Sequence, residues 1–130
     1  MESSAQNIMA IRKATGLSPL DAKKFIEEKD ALLCERIVSA KMRDEGLYDP
    51  IEDDENLSSV ILSADKEAEI IANTIHESER EDLEKKGLGF IASGRGKGHL
   101  ICYHKKRILK EKHSIIWYSR MDMNPCIIYD

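Results

Sequence analysis

The chain lacks most of what would staple a small protein together or anchor it to something else. Three cysteines among 130 residues, Cys34, Cys102 and Cys126, are too few and too scattered for a disulfide framework, so reduced thiols are expected. There are seven aromatic residues, and five of them (Phe90, Tyr103, Trp117, Tyr118 and Tyr129) follow Gly87, which concentrates the bulky core anchors in the last third. No apolar run approaches the roughly 20 residues needed to span a bilayer. The N-terminus lacks the basic-then-apolar layout of a signal peptide. Together these absences point to a cytoplasmic protein without a membrane partner.

What is present is charge, and it is segregated. Apolar residues make up 42% of the chain and charged residues 34%, which describes a soluble globular sequence able to bury a core as one domain, 1–130. The net charge of −4 hides three blocks: +2 over Met1–Arg43, −13 over Asp44–Glu84 and +7 over Lys85–Asp130. An acidic middle and a basic end are each able to steer a partner of opposite sign, or to pair with each other within one fold.

The periodicity predicts a mainly α fold with a glycine-rich loop and a short extended C-terminal segment. Ser3 or Ser4 caps a helix whose apolar positions are Ile8, Ile11 and Ala14, and Gly16 stops it. Ser18-Pro19-Leu20-Asp21 is a strong helix start, combining a capping hydroxyl, a proline where no donor is needed and a carboxylate in the first turn. Ala22, Phe25 and Ile26 form the buried stripe. Asp30 caps a third helix carrying Leu33, Ile37, Val38 and Met42, closed by Gly46, so that 1–46 is a helical hairpin plus a third helix. Leu47–Glu55 reads as a loop with Asp49-Pro50 as its turn and a solvated acidic run, Glu52–Glu55. A long amphipathic helix over 56–86 follows, with the seam Leu57, Ile61, Ala64, Ala68, Ile71 and Ile75. Five glycines between Gly87 and Gly98 make an irregular connector. Over 99–112 the repeats of Leu100/Ile101, His104 and Ile108/Leu109 favour helix over strand. Ile115–Tyr118 reads as a short buried segment, and Cys126–Tyr129 as an extended tail.

Residues 10–27, AIRKATGLSPLDAKKFIE, align without a gap with a known hairpin. This stretch resembles the helix–turn–helix of the C-terminal domain of the ribosomal stalk protein family L7/L12 and, more loosely, the N-terminal helical module of elongation factor Ts. The resemblance implies two short helices packed across Gly16 and Leu17. In both families such hairpins lie at surfaces that meet translation factors. Arg12 and Lys23 match basic residues of the stalk protein's factor-binding face, while Met9 stands where that family usually has a further lysine. The stretch from Lys105 to Asp130 is similar to tails of small bacterial and phage-type proteins, a similarity that implies no activity.

The glycine-rich segment has the material for an anion site, since backbone amides in glycine turns followed by a helix N-terminus cradle phosphates. The nucleotide-binding signature fails, because Gly89-x-x-x-x-Gly94 is followed by Arg95-Gly96 rather than Lys-Ser/Thr. His99 and Cys102 share a helical spacing but supply two ligands where a closed metal site needs four, so no metal and no cofactor are expected. The stretch Arg95–Lys112 has seven basic residues and one acid, Glu111. Within it, Arg95, Lys97, Lys105 and Lys106 are the candidate anion-binding residues. In the acidic band, Asp53, Asp54, Glu77 and Glu81 lie in the loop or off the apolar seam and are the candidate partner-binding residues. The expectation is a non-enzymatic protein-binding module with a basic protein partner, an inhibitor or immunity-like protein that uses the acidic band. The alternative is a nucleic-acid-binding protein or small metal-independent nuclease that uses the basic segment. The two are separated by where the charge is exposed and where it is paired.

Overall fold

The computed structural model describes residues 1–44, 46–85 and 97–127, with the side chains of all these except 75–85 and 97. The fold is mainly α. Its elements are α1 (Ala5–Thr15), α2 (Pro19–Glu28), α3 (Ala31–Ser39), a two-stranded antiparallel hairpin of β1 (Met42–Arg43) and β2 (Gly46–Leu47), a 3-10 turn (Pro50–Asp53), α4 (Ser58–Lys85), α5 (Lys97–His113) and α6 (Arg120–Met123). They group into two compact units. One holds residues 1–54 with 118–127, and the other holds residues 55–117.

In the first unit the helix starts follow the local signals. Ser4 Oγ accepts from the Asn7 N–H at 3.2 Å and Ser18 Oγ from the Asp21 N–H at 3.2 Å, each satisfying a donor that the first helical turn leaves open. Gly16 ends α1 in the left-handed region, with φ at 83°, and its N–H returns to Arg12 O at 2.7 Å. Ile11, Ala22, Phe25, Ile26, Leu33, Cys34 and Ile37 then form one core, with Leu47, Tyr118 and Met123 packed into the same cluster. Burial of Cys34 raises its thiol pKa, as desolvation of a thiolate must.

The third helix is shorter than its periodicity predicts. α3 stops at Ser39, whose Oγ donates back to Glu35 O at 3.1 Å, and Ala40 is already extended. Val38 and Met42, expected on the buried stripe, are exposed. The chain instead reverses through β1 and β2, with Asp44 at a positive φ of 55°, and this reversal delivers Leu47 and Tyr48 to buried positions. Asn124 closes β2 from its other side. Its Oδ1 accepts from Leu47 N–H at 2.8 Å and its Nδ2 donates to Leu47 O at 2.8 Å, so one side chain replaces a neighbouring strand. The segment read as a plain loop therefore holds β2 and a 3-10 turn with Pro50 at its first position. α6 starts in a capping box, in which Ser119 and Asp122 satisfy each other's backbone donors.

In the second unit α4 packs on α5. Among the described side chains of α4 the buried positions are Ile61, Ala64, Ala68 and Ala72, so the seam steps by three, four and four and passes through Ala72, while Ile71 is only half-buried. A three-four-four pattern averages about 3.7 residues per turn, close to a straight helix, whereas alternating threes and fours average about 3.5 and would wind it into a left-handed supercoil. Three alanines in a row on that seam let the backbones approach closely. From α5 the seam receives Ile108 and Leu109, both fully buried. Ser114, at a positive φ of 54°, turns the chain out of α5, and Ile115 N–H reaches Leu109 O at 3.0 Å. Of the stretch expected to be buried, Trp117 and Tyr118 are, while Ile116 is exposed. The connector 87–98 falls largely outside the described residues, as do Arg95 and the tail beyond 127.

Candidate functional site: the acidic band and the basic helix

The acidic band begins with a carboxylate that does not face solvent. Asp49 is fully buried. Its Oδ2 accepts from Arg36 Nη1 at 2.8 Å and from Tyr118 N–H at 2.9 Å, while its Oδ1 accepts from Ile51 N–H at 3.1 Å. One side chain thereby ties α3, the 3-10 turn and the entry to α6 together, and Arg36 balances its charge. The Arg36 guanidinium also lies 5.3 Å from the Tyr118 ring centroid. The Tyr118 phenol has its pKa raised, chiefly by burial.

Around the 3-10 turn the acids serve a second cluster. Tyr48 OH donates to Asp53 Oδ2 at 2.7 Å, and Arg43 sits 4.0 Å over the Tyr48 ring with Nη2 3.8 Å from Asp53 Oδ1. The bond to Asp53 raises the Tyr48 pKa, and burial of the ring adds to it. Asp53 remains half exposed in this role, and Asp54 and Glu55 beside it are exposed. Glu77 and Glu81 lie on the helical backbone of α4, with side chains outside the described set.

On α5 the cations divide. Lys105 is buried, with Nζ 4.3 Å from the Trp117 ring centroid and 3.5 Å from Asp65 Oδ1. Lys112 Nζ meets Glu67 Oε1 at 2.6 Å. The Lys105 contacts explain how a lysine is tolerated on the seam: its ammonium keeps the face of Trp117 and a carboxylate. Arg107 pairs along the helix with Glu111 at 3.2 Å, and its Nη2 lies 3.3 Å from His104 Nδ1. His99, Tyr103 and Lys110 are exposed and Lys106 is half-buried. The Tyr103 and His104 rings meet edge to face, with centroids 5.1 Å apart.

Of the candidate anion-binding residues, the structure thus places Lys105 inside the α4–α5 unit and Lys106 on the helix surface. Lys97 opens α5, its side chain outside the described set. Asp49, Arg36 and Asn124 organise the first unit through contacts that the sequence did not show, Asp49 being visible only as the residue before Pro50; Trp117, expected in a buried segment, is buried in the second. Among the described residues no cluster of three or more histidines, cysteines or carboxylates is arranged to hold a metal ion, and no described helix is long and apolar enough to cross a membrane. Comparison with protein-family models, curated proteins and solved structures finds no match to this chain.

Proposed function

We propose that the chain is a non-enzymatic protein-binding module, inhibitor-like or immunity-like in kind, whose acidic band docks on a basic protein partner. The observation that carries this reading is the division of charge in the α4–α5 unit. Lys105 and Lys112 of the basic helix are engaged by Asp65 and Glu67, whereas Glu55 and Glu69 of the same unit are exposed. Cations already held by carboxylates offer less to an incoming anion than exposed carboxylates offer to an incoming cation. Such a surface raises the association rate of a basic partner and loses that advantage as salt screens it.

The test compares wild-type protein with the Asp53→Lys/Asp54→Lys/Glu77→Lys/Glu81→Lys variant as bait in native-host extract, after circular dichroism has shown both to be folded. The expected result is a basic protein that binds wild type at low salt, is released at high salt and is not retained by the variant. Retention indifferent to the four reversals would overturn the reading.

A further inference from the structure

We propose that the outward face of α5 binds single-stranded nucleic acid, with Tyr103 as the base-stacking platform and Lys106, Arg107 and Lys110 as phosphate contacts. This surface uses none of the residues of the acidic band, so the two proposals fail independently. The argument starts from helix rotation. Lys105, Ile108, Leu109 and Lys112 all turn toward α4, as their burial and their bonds to Asp65 and Glu67 record. At about 100° per residue, His99, Tyr103, Lys106 and Lys110 then cluster roughly 100–160° away from that side, with Arg107 at the edge of the same face. Packing thus sets Lys105 and Lys112 inward and Lys106 and Lys110 on the opposite side, with the Tyr103 ring among the latter.

Tyr103 is 62% exposed. It is the one exposed aromatic among the described residues and the one large exposed apolar side chain on α5, since the others lie on other elements or the C-terminal segment. With only half-buried Leu100 at its edge beside Arg107, the face offers little to the apolar stripe of a partner helix. A phenol ring with Lys106 and Arg107 one turn further along α5 and Lys110 a turn beyond Lys106 matches a strand that presents a base beside its phosphates. The ring meets His104 at an interplanar angle of 78°, so no intramolecular stack with that imidazole competes for a base. The Arg107–Glu111 pair is a surface contact along one helix, and its carboxylate is 63% exposed; contacts of that kind are weak enough to yield to a phosphate. Single strands are favoured over duplex because the ring needs an unpaired base face.

The experiment is fluorescence anisotropy of the full chain with a labelled oligouridine of about 12 nucleotides, and with a duplex of equal length, across a salt series beginning near 50 mM. Saturable single-strand binding is expected, with Kd on the order of 10 µM at the lowest salt. Tyr103→Ala should weaken it by about 5- to 100-fold, and Tyr103→Phe should leave it within about twofold, because stacking needs the ring and not the hydroxyl. Lys106→Gln and Lys110→Gln should each lower the salt slope by about 0.7. Photo-crosslinking with 4-thiouridine should map to the peptide containing Tyr103. Because the ring is exposed, Tyr103→Ala should melt with wild type; if it does not, Tyr103→Leu against Tyr103→Phe decides the same question at matched bulk. No saturable binding, an unchanged affinity in Tyr103→Ala or Tyr103→Leu, or duplex binding equally tight and indifferent to Tyr103 would each overturn the proposal.

Discussion

Replacing Asp49 by Asn should remove more stability than any other isosteric change in the first unit. The side chain is fully buried and accepts three hydrogen bonds, two at Oδ2 from Arg36 and Tyr118 and one at Oδ1 from Ile51. An amide of the same shape accepts at one end only. If its oxygen faces Arg36 and Tyr118, its NH2 is driven against the Ile51 N–H; the opposite orientation sets the NH2 against two donors at once. The better orientation therefore leaves a donor unsatisfied, at about 1–3 kcal/mol, and turns the charge-assisted bond from Arg36 into a neutral-acceptor bond, at about 1–1.5 kcal/mol more. Arg36, whose side chain is largely buried, also loses the charge of Asp49. Breaking one side of such a pair typically costs about 3–5 kcal/mol, and the two estimates agree.

For a chain of this size that loss lowers the melting temperature by roughly 10–20 °C. Urea titration followed by far-UV circular dichroism measures it directly. A cycle with Arg36→Met tests the cause, because once Asp49 is neutral the loss of Arg36 should cost at least about 1 kcal/mol less than it does in wild type. An Asp49→Asn protein within about 1 kcal/mol of wild type, or strictly additive single changes, would refute the buried ion pair as the organiser of this unit.

Three further outcomes follow from the same geometry. Asn124→Ala strands both the N–H and the carbonyl of buried Leu47 and should cost about 2–4 kcal/mol by urea titration, while Asn124→Asp, which keeps the acceptor, should recover part of it. Gly16→Val should cost about 1–2 kcal/mol, all of it backbone strain, because a Cβ built there meets nothing within 4 Å; a melting curve superimposable on wild type would exclude the left-handed cap. Tyr48 and Tyr118 both have pKa values raised above the usual 10.0, by the Asp53 bond and by burial respectively. Their stabilisation is therefore complete below about pH 10 and is lost as pH rises through the folded values. Absorbance titration at 295 nm should show two phenols ionising later in the folded than in the urea-unfolded protein, with Asp53→Asn advancing one of them.

The parts of the fold that were legible in the sequence are those decided within four or five residues. Ser4, Ser18 and Gly16 act on their own helix ends, so their types and positions sufficed. The end of α3 was not legible, because it depends on Asn124 accepting and donating to Leu47 across 77 positions. Periodicity alone carried α3 on to Met42; the reversal at Asp44 instead places Leu47 in the core. The same limit hid Asp49. Read locally, an aspartate before proline is a turn residue, and it does serve Ile51 in that way. Its larger role needs Tyr118, 69 positions away, to bring a backbone donor. Lys105 shows the converse case, since a lysine inside a basic run reads as solvated until Trp117 and Asp65 are placed around it.

Charge separated along the chain is not charge separated in space. The acidic middle contributes α4 and the basic end contributes α5, and these pack on each other, so part of each block is neutralised at Asp65–Lys105 and Glu67–Lys112. Individually such pairs add little stability, because three of the four side chains are more than two-fifths exposed to water. Their effect is orientational. Ile108 and Leu109 fix which side of α5 is buried, and Lys105 and Lys112 narrow its rotation further, one turn to either side, by requiring a carboxylate opposite each. Once that rotation is set, Tyr103, Lys106 and Lys110 fall on the side of α5 away from that contact. Residues that look interchangeable in the run Lys105-Lys106-Arg107 are therefore assigned different work by one helical step: Lys105 turns inward to Trp117 and Asp65, and Lys106 lies on the face that carries Tyr103.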